Sequence, residues 1–218
     1  MSGAPVDFYF DPVSPYSYLA TTQIEKLVTR HGRRVIWHPV LVGVTVVKVM
    51  GLKPVPLTPL KSDYSRRDLA RQAEIFGVPL NRHGLKGVTS VAACRAFLWL
   101  TDRDASMAKA LITRLSARLW VEGMDLSAPE TVVAEAQALG AGPDALRDAL
   151  QDPALKQRLD QAVQDAIDRG VFGVPFFFVD GQPLWGCDRL WMLDYWLTHG
   201  QWPGPAALPW NPTPNPSP

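Results

Sequence analysis

Ser14 and Ser17 stand three residues apart in Asp11-Pro12-Val13-Ser14-Pro15-Tyr16-Ser17-Tyr18, where a strand pattern gives way to a helix pattern. A serine followed by proline suits the cap of a helix, and its hydroxyl proton remains free to donate to an anion brought from outside. Two hydroxyls cannot form a disulfide, so dithiol exchange is excluded at this place. A cap alone accounts for Ser14; a donor to a borrowed thiolate is the sharper alternative. At the other end, Gly173-Val174-Pro175 puts an X-Pro bond at the entrance of a strand, where a cis bond beside the Ser14 turn is expected. Cys187-Asp188 follows shortly after, with Cys187 read as a small semi-apolar residue and Asp188 as the cap of the last helix. Lys61 reads by itself as a solvated lysine. Cys94 and Cys187 are the only cysteines, and neither they nor His31, His38, His83 and His199 have metal-ligand spacing. No metal site is expected. A Gly-x-Ser-x-Gly elbow is absent, so serine hydrolysis lacks support.

The elements that must hold these residues follow from periodicity. Val6, Phe8 and Phe10 alternate with Asp7 and Tyr9 as in a strand with two unlike faces. From Pro15, apolar residues recur at helical spacing until Gly32, and Val35 to His38 reads as the next strand. This is a right-handed βαβ unit. Pro175 to Val179, the turn Asp180-Gly181, and Pro183 to Gly186 read as a hairpin, followed by a helix ending at Gly200. Between these ends, helical spacing appears near Asp68 to Phe76, Val91 to Leu100, Ala105 to Val121, Pro129 to Leu139 and Pro153 to Arg169. Lys53 to Lys61, with three prolines, reads as a loop. The fold class expected is α/β, a thioredoxin-like sheet (βαβ plus ββα) with a large all-helical insertion. Residues 1–42 and 170–202 would form the discontinuous thioredoxin-like domain, and 43–169 the loop and helical insertion. Residues 203–218, with seven prolines, read as a loose tail.

Composition narrows the function classes. The 218 residues carry 22 basic and 21 acidic side chains, a net charge of +1, without the basic excess of a nucleic-acid binder. No apolar run approaches membrane-span length, and the start has no signal-peptide pattern, so a cytoplasmic protein is expected.

Ser14-Pro15-Tyr16-Ser17-Tyr18-Leu19, Gly173-Val174-Pro175-Phe176-Phe177 and Trp185-Gly186-Cys187-Asp188-Arg189-Leu190 together resemble the 2-hydroxychromene-2-carboxylate isomerase family. That family is related to kappa-class glutathione transferases and to DsbA-like thioredoxin folds. The resemblance covers most of the chain and includes Leu119-Trp120-Val121-Glu122-Gly123. It implies glutathione as cofactor and a small aromatic 2-oxo acid or hemiketal as substrate for cis-trans isomerisation. It also implies a homodimer. By the resemblance, Ser14 faces the glutathione sulfur, and Val174, before Pro175, pairs its backbone with the cysteinyl part. Asp188, beside Cys187, matches the residue that binds the γ-glutamyl amine. Lys61 matches the lysine of the family's Pro-x-Lys-x-x-Tyr, here Pro59-Leu60-Lys61-Ser62-Asp63-Tyr64. Leu52 departs from the family's Gly-Asn-x-Pro and removes asparagine's polar contacts there. A kappa-like transferase and a non-catalytic thioredoxin-like binding module are the rival readings. Because Ser14 and Ser17 stand where a dithiol would have to be, insulin reduction by the purified protein is expected to run at the buffer rate; reduction well above it overturns this reading.

Overall fold

The computed structural model describes residues 3–81 and 87–204; His83 and, from residue 205, the proline-rich tail lie outside the described residues. Strand β1 (Val6–Phe10) pairs in parallel with β2 (Val35–Pro39) and antiparallel with β3 (Phe176–Val179), which turns into β4 (Gln182–Trp185). The sheet order is therefore β2-β1-β3-β4, the expected thioredoxin-like sheet. The hairpin turn has positive φ at both Asp180 (48°) and Gly181 (80°), the geometry that matches the strands' twist. Asp180 is pinned from outside the turn by Arg33 at 2.9 and 3.0 Å and by the Trp196 indole at 2.9 Å.

Alternation along β1 sends Val6, Phe8 and Phe10 into the main core and Asp7 and Tyr9 to the other face. Phe8 stacks on Phe177 at 5.3 Å and meets Trp37 edge-on at 4.9 Å, while Phe10 meets Phe97 of the helical block at 5.0 Å. The core of the sheet thus runs without a break into that of the helices. On the opposite face, Arg169 ties Asp7 and the Tyr9 hydroxyl, both at 2.7 Å, and lies over the Phe178 ring.

The helix expected from Pro15 to Gly32 is divided into α1 (Pro15–Thr21) and α2 (Ile24–Thr29). The hydroxyls of Thr21 and Thr22 each donate to the carbonyl three residues back at 2.7 Å, a competing bond that breaks the helical ladder. Between β2 and β3 lie α3 (Lys61–Phe76), α4 (Val91–Thr101), α5 (Ala105–Glu122), α6 (Pro129–Gln137), α7 (Pro143–Gln151) and α8 (Pro153–Asp168). Helix α3 starts at Lys61, seven residues earlier than its apolar pattern, because its first two turns bury little. Helix α7 was not expected: it buries only Leu146 and Leu150, one turn apart, too few for a periodic signal. Residues Gly43–Val49 form a π-helical segment and Val55–Leu57 a short 3-10 turn within the expected loop. Helix α9 (Leu190–His199) closes the described chain and stops at Gly200, whose φ of 66° is the left-handed cap. Phe8 is fully buried at the junction of sheet and helices, so Phe8→Ala should cost about 3 to 5 kcal/mol of unfolding free energy in urea titration. A change no larger than that of an exposed-site substitution counts against this packing.

Candidate functional site

The turn between β1 and α1 is built on a buried acid. Asp11, 1% exposed, accepts from the N–H of Val13 at 3.1 Å, the N–H of Val42 at 2.9 Å and the Ser90 hydroxyl. Its own carbonyl accepts from the N–H of Ser14 at 2.9 Å. Burial raises its pKa to about 6, with those three donors pulling the other way. The Trp120 indole N–H of α5 donates to the Pro12 carbonyl at 3.0 Å, so the helical block also grips the turn.

Ser14 caps α1 as expected: its Oγ accepts from the N–H of Ser17 at 3.2 Å. The hydroxyl proton points to the Val174 carbonyl at 3.3 Å, and Val174-Pro175 is a cis peptide. Among the described residues the N–H of Val174 has no acceptor, although Val174 is only 8% exposed. Ser14, Val174 and Pro175 are therefore brought together from opposite ends of the chain. Gly173, just before them, leaves room for the Trp185 indole, since a Cβ there would sit 2.9 Å from its nitrogen. Trp185 in turn packs against Phe172 at 4.9 Å.

The other three residues singled out in the sequence divide: Cys187 and Asp188 follow Gly186, whose N–H donates to the Pro175 carbonyl at 2.9 Å, in a turn that packs against α1, whereas Lys61 stands on α3. Cys187 is buried, and burial together with the charges of Asp188 and Asp68 pushes its thiol up to about 12, so it stays protonated. Asp188 does not cap α9. Gly186, at φ 104°, turns the chain early, so Asp188 falls within the 3-10 turn Cys187–Arg189, and α9 starts without a side-chain cap. Its exposed carboxylate pairs with Arg189 at 2.9 Å. Lys61 is exposed at the first residue of α3; its N–H donates to the Pro59 carbonyl at 2.8 Å, and its side chain has no hydrogen bond or ion pair among the described residues. That helix is held to α1 by the Tyr16 hydroxyl, which donates to Asp68 at 3.2 Å. The roles of Asp11 and Ser90 were missed; the Asp-Pro-Val spacing, which suits an Asx turn, was the available signal. The described residues hold no cluster of His, Cys, Asp or Glu able to bind a metal ion. None of their helices is long and apolar enough to cross a membrane.

The family model described as DSBA-like thioredoxin domain matches residues 5–198. The chain belongs to the DsbA-like thioredoxin family, in its 2-hydroxychromene-2-carboxylate isomerase branch. This DsbA-like chain is 32% identical over 197 residues to a 2-hydroxychromene-2-carboxylate isomerase of Sphingobium xenophagum, covering 88% of itself and 97% of that protein. It is 26% identical to glutathione S-transferase kappa 1 of Caenorhabditis elegans, covering 86% and 88%. Its structure matches a solved 2-hydroxychromene-2-carboxylate isomerase with a TM-score of 0.78 at 30% identity, covering 90% and 95%.

Asp11 makes stability depend on pH in a defined sense. Its pKa rises from 3.8 unfolded to about 6 folded, so the folded state holds the proton more tightly. That contribution is complete below pH 3.8 and is lost as pH rises through 6. Relative to Asp11→Asn, the wild type should lose up to about 3 kcal/mol between pH 4 and pH 7, read by urea unfolding at each pH. A difference that stays constant shows that the carboxyl does not titrate there.

Proposed function

We propose that the chain is a glutathione-dependent cis-trans isomerase of an aromatic 2-oxo acid or its cyclic hemiketal, such as 2-hydroxychromene-2-carboxylate. The observation that carries this reading is the pair formed by the Ser14 hydroxyl and the unpaired N–H of Val174. A buried amide without a partner fits a strand-like peptide laid beside it, and the cysteinyl part of glutathione is such a peptide. The 3.3 Å bond from Ser14 to Val174 is long for a hydroxyl donor, so the proton is easily redirected to an anionic sulfur. When bound, glutathione supplies a thiolate that adds reversibly to a conjugated alkene, allows rotation about the resulting single bond, and leaves by elimination.

The chain's own task is to hold that sulfur anionic and the ligand in place. Ser14 donates to sulfur without leaving its cap, because the oxygen goes on accepting from Ser17. Val174 aligns the peptide, and Pro175 fixes the backbone of the turn behind it. Asp188, exposed and carrying only its neighbour Arg189, is offered to the γ-glutamyl amine, and the unpaired Lys61 to an anionic part of the ligands. Cys187, protonated and buried, adds bulk rather than a second nucleophile. The likeness to a kappa transferase supports a second reading, in which the adduct is released; consumption of glutathione with substrate separates the two. A homodimer fits the exposed apolar side chains Val47, Val55, Leu57 and Leu60, and two unpaired cysteines fit a reducing cytoplasm.

Ser14→Ala should lower turnover by about ten to a hundredfold, the effect of losing a hydrogen bond to a charged group. Lost capping should cost only about 0.5 to 2 kcal/mol of stability. The ultraviolet thiolate band of bound glutathione, titrated at saturating glutathione, should move its midpoint up toward about 8.5. An unmoved midpoint with unchanged turnover leaves Ser14 as a cap alone and ends this reading.

A further inference from the structure

Helix α3 carries Lys61 at its first residue, but its hold on the core begins late. Lys61, Asp63, Tyr64, Arg66 and Arg67 are exposed, and Leu69 is the first of its side chains to be buried. The entrance gives no firmer footing. Leu60 is exposed and turns at φ 66°, a backbone that a leucine rarely adopts, in a tight turn closed by the N–H of Lys61 on the Pro59 carbonyl at 2.8 Å. Among the described residues, Tyr16 alone from outside residues 58–72 hydrogen-bonds to residues 61–68. Its hydroxyl donates to Asp68 at 3.2 Å, with the Ser65 carbonyl at 3.4 Å as a longer second acceptor. Burial and the Asp68 charge beside it raise its pKa, so the proton stays on the hydroxyl.

Tyr16 also sits in the first turn of α1, two residues after Ser14, whose hydroxyl caps that helix. One helical turn therefore joins the Ser14 hydroxyl to the tether on α3. Within α3, Lys61, Ser65 and Asp68 follow at i, i+4 and i+7, which puts all three on one face. At 1.5 Å per residue, Lys61 lies about 6 to 10 Å along the axis from the tethered residues. Without the Tyr16 bond, the first two turns of α3 are free to swing away from α1 and take Lys61 with them. We propose that Tyr16 is a positioning residue: through Asp68 it sets where Lys61 stands relative to Ser14, and so the span that one anionic thiol ligand must bridge. The role rests on the glutathione reading, in which Ser14 faces the sulfur and Lys61 an anionic part of the ligand. Tyr16 acts through α3, its own hydroxyl proton being committed to Asp68.

The test is calorimetric titration of the full chain with glutathione. Tyr16→Phe should weaken binding about three to tenfold, the range of one net hydrogen bond. Asp68→Ala should weaken it similarly, and Asp68→Asn, whose amide oxygen still accepts from Tyr16, should lose less. In a Lys61→Ala background, Tyr16→Phe should cost nothing further, because the side chain it positions is gone. The ultraviolet thiolate midpoint of bound glutathione should not move in Tyr16→Phe, since Ser14 keeps its place. Unchanged affinity in both Tyr16→Phe and Asp68→Ala, a loss that persists in full without the Lys61 side chain, or a shifted midpoint each overturn the inference and leave the isomerase reading standing. Failure of the wild type to bind glutathione overturns both.

Discussion

A carboxylate taken out of water must recover its hydrogen bonds inside the protein, and Asp11 recovers them from three directions. The N–H of Val13 belongs to the turn that carries Ser14, the N–H of Val42 to the segment leaving β2, and the Ser90 hydroxyl to the start of α4. One buried acid at the end of β1 thereby holds sheet, turn and helical block in one geometry. Cys94 lies within reach of the same charge, and burial raises its thiol well above the usual range, so it remains a neutral filler behind the turn. Trp120, reaching from α5 to the Pro12 carbonyl, adds a second clasp on the same few residues.

Hydrogen bonds are met unevenly across the molecule. In the scaffold, Glu135 takes Arg114 and Arg118, Asp180 takes Arg33 and Trp196, and Trp37 donates to Glu25. Among the described residues, Arg95 Nε on α4 and Ser116 Oγ on α5 are buried without a partner, and further groups are left short around the Ser14 turn and at Thr45. The N–H of Val174 has no acceptor, the Ser14 hydroxyl holds its acceptor at 3.3 Å, and the Thr45 hydroxyl has none. Each is tolerated because rigid neighbours hold it. Aromatic packing of Phe8, Trp37 and Phe177 fixes the strands, and Gly173 leaves room for the Trp185 indole.

Where local pattern and tertiary demand agree, the chain could be read directly. Alternation in β1, the Asp180-Gly181 turn, the serine-proline start of α1 and the left-handed glycine after α9 need only neighbouring residues, and each stands where its pattern put it. The pairing of Ser14 with Val174-Pro175 was legible for a different reason: the two motifs occupy opposite ends of a topology that brings β1 and β3 side by side. Helix α7 and the break after Thr21 escaped because two buried leucines make no period, and because a threonine hydroxyl chooses its partner only once the helix exists.

What the sequence by itself determined is the chemistry on offer: a hydroxyl in place of a thiol, a strand-entry proline, and sulfur too sparse for redox exchange. Only the tertiary structure decided which groups would be buried and which left unpaired. Asp11 draws no notice in the sequence, and its role appears only when Ser90, nearly eighty residues away, is packed against it. Asp188 reads as a helix cap until Gly186 turns the chain early and leaves its carboxylate at the surface beside Arg189. Thr45 carries no signal in the sequence, and only the packed structure buries its hydroxyl in the π-helical segment without a partner. Burial and hydrogen-bond satisfaction are sums over neighbours from every part of the chain, and no local stretch of residues contains them.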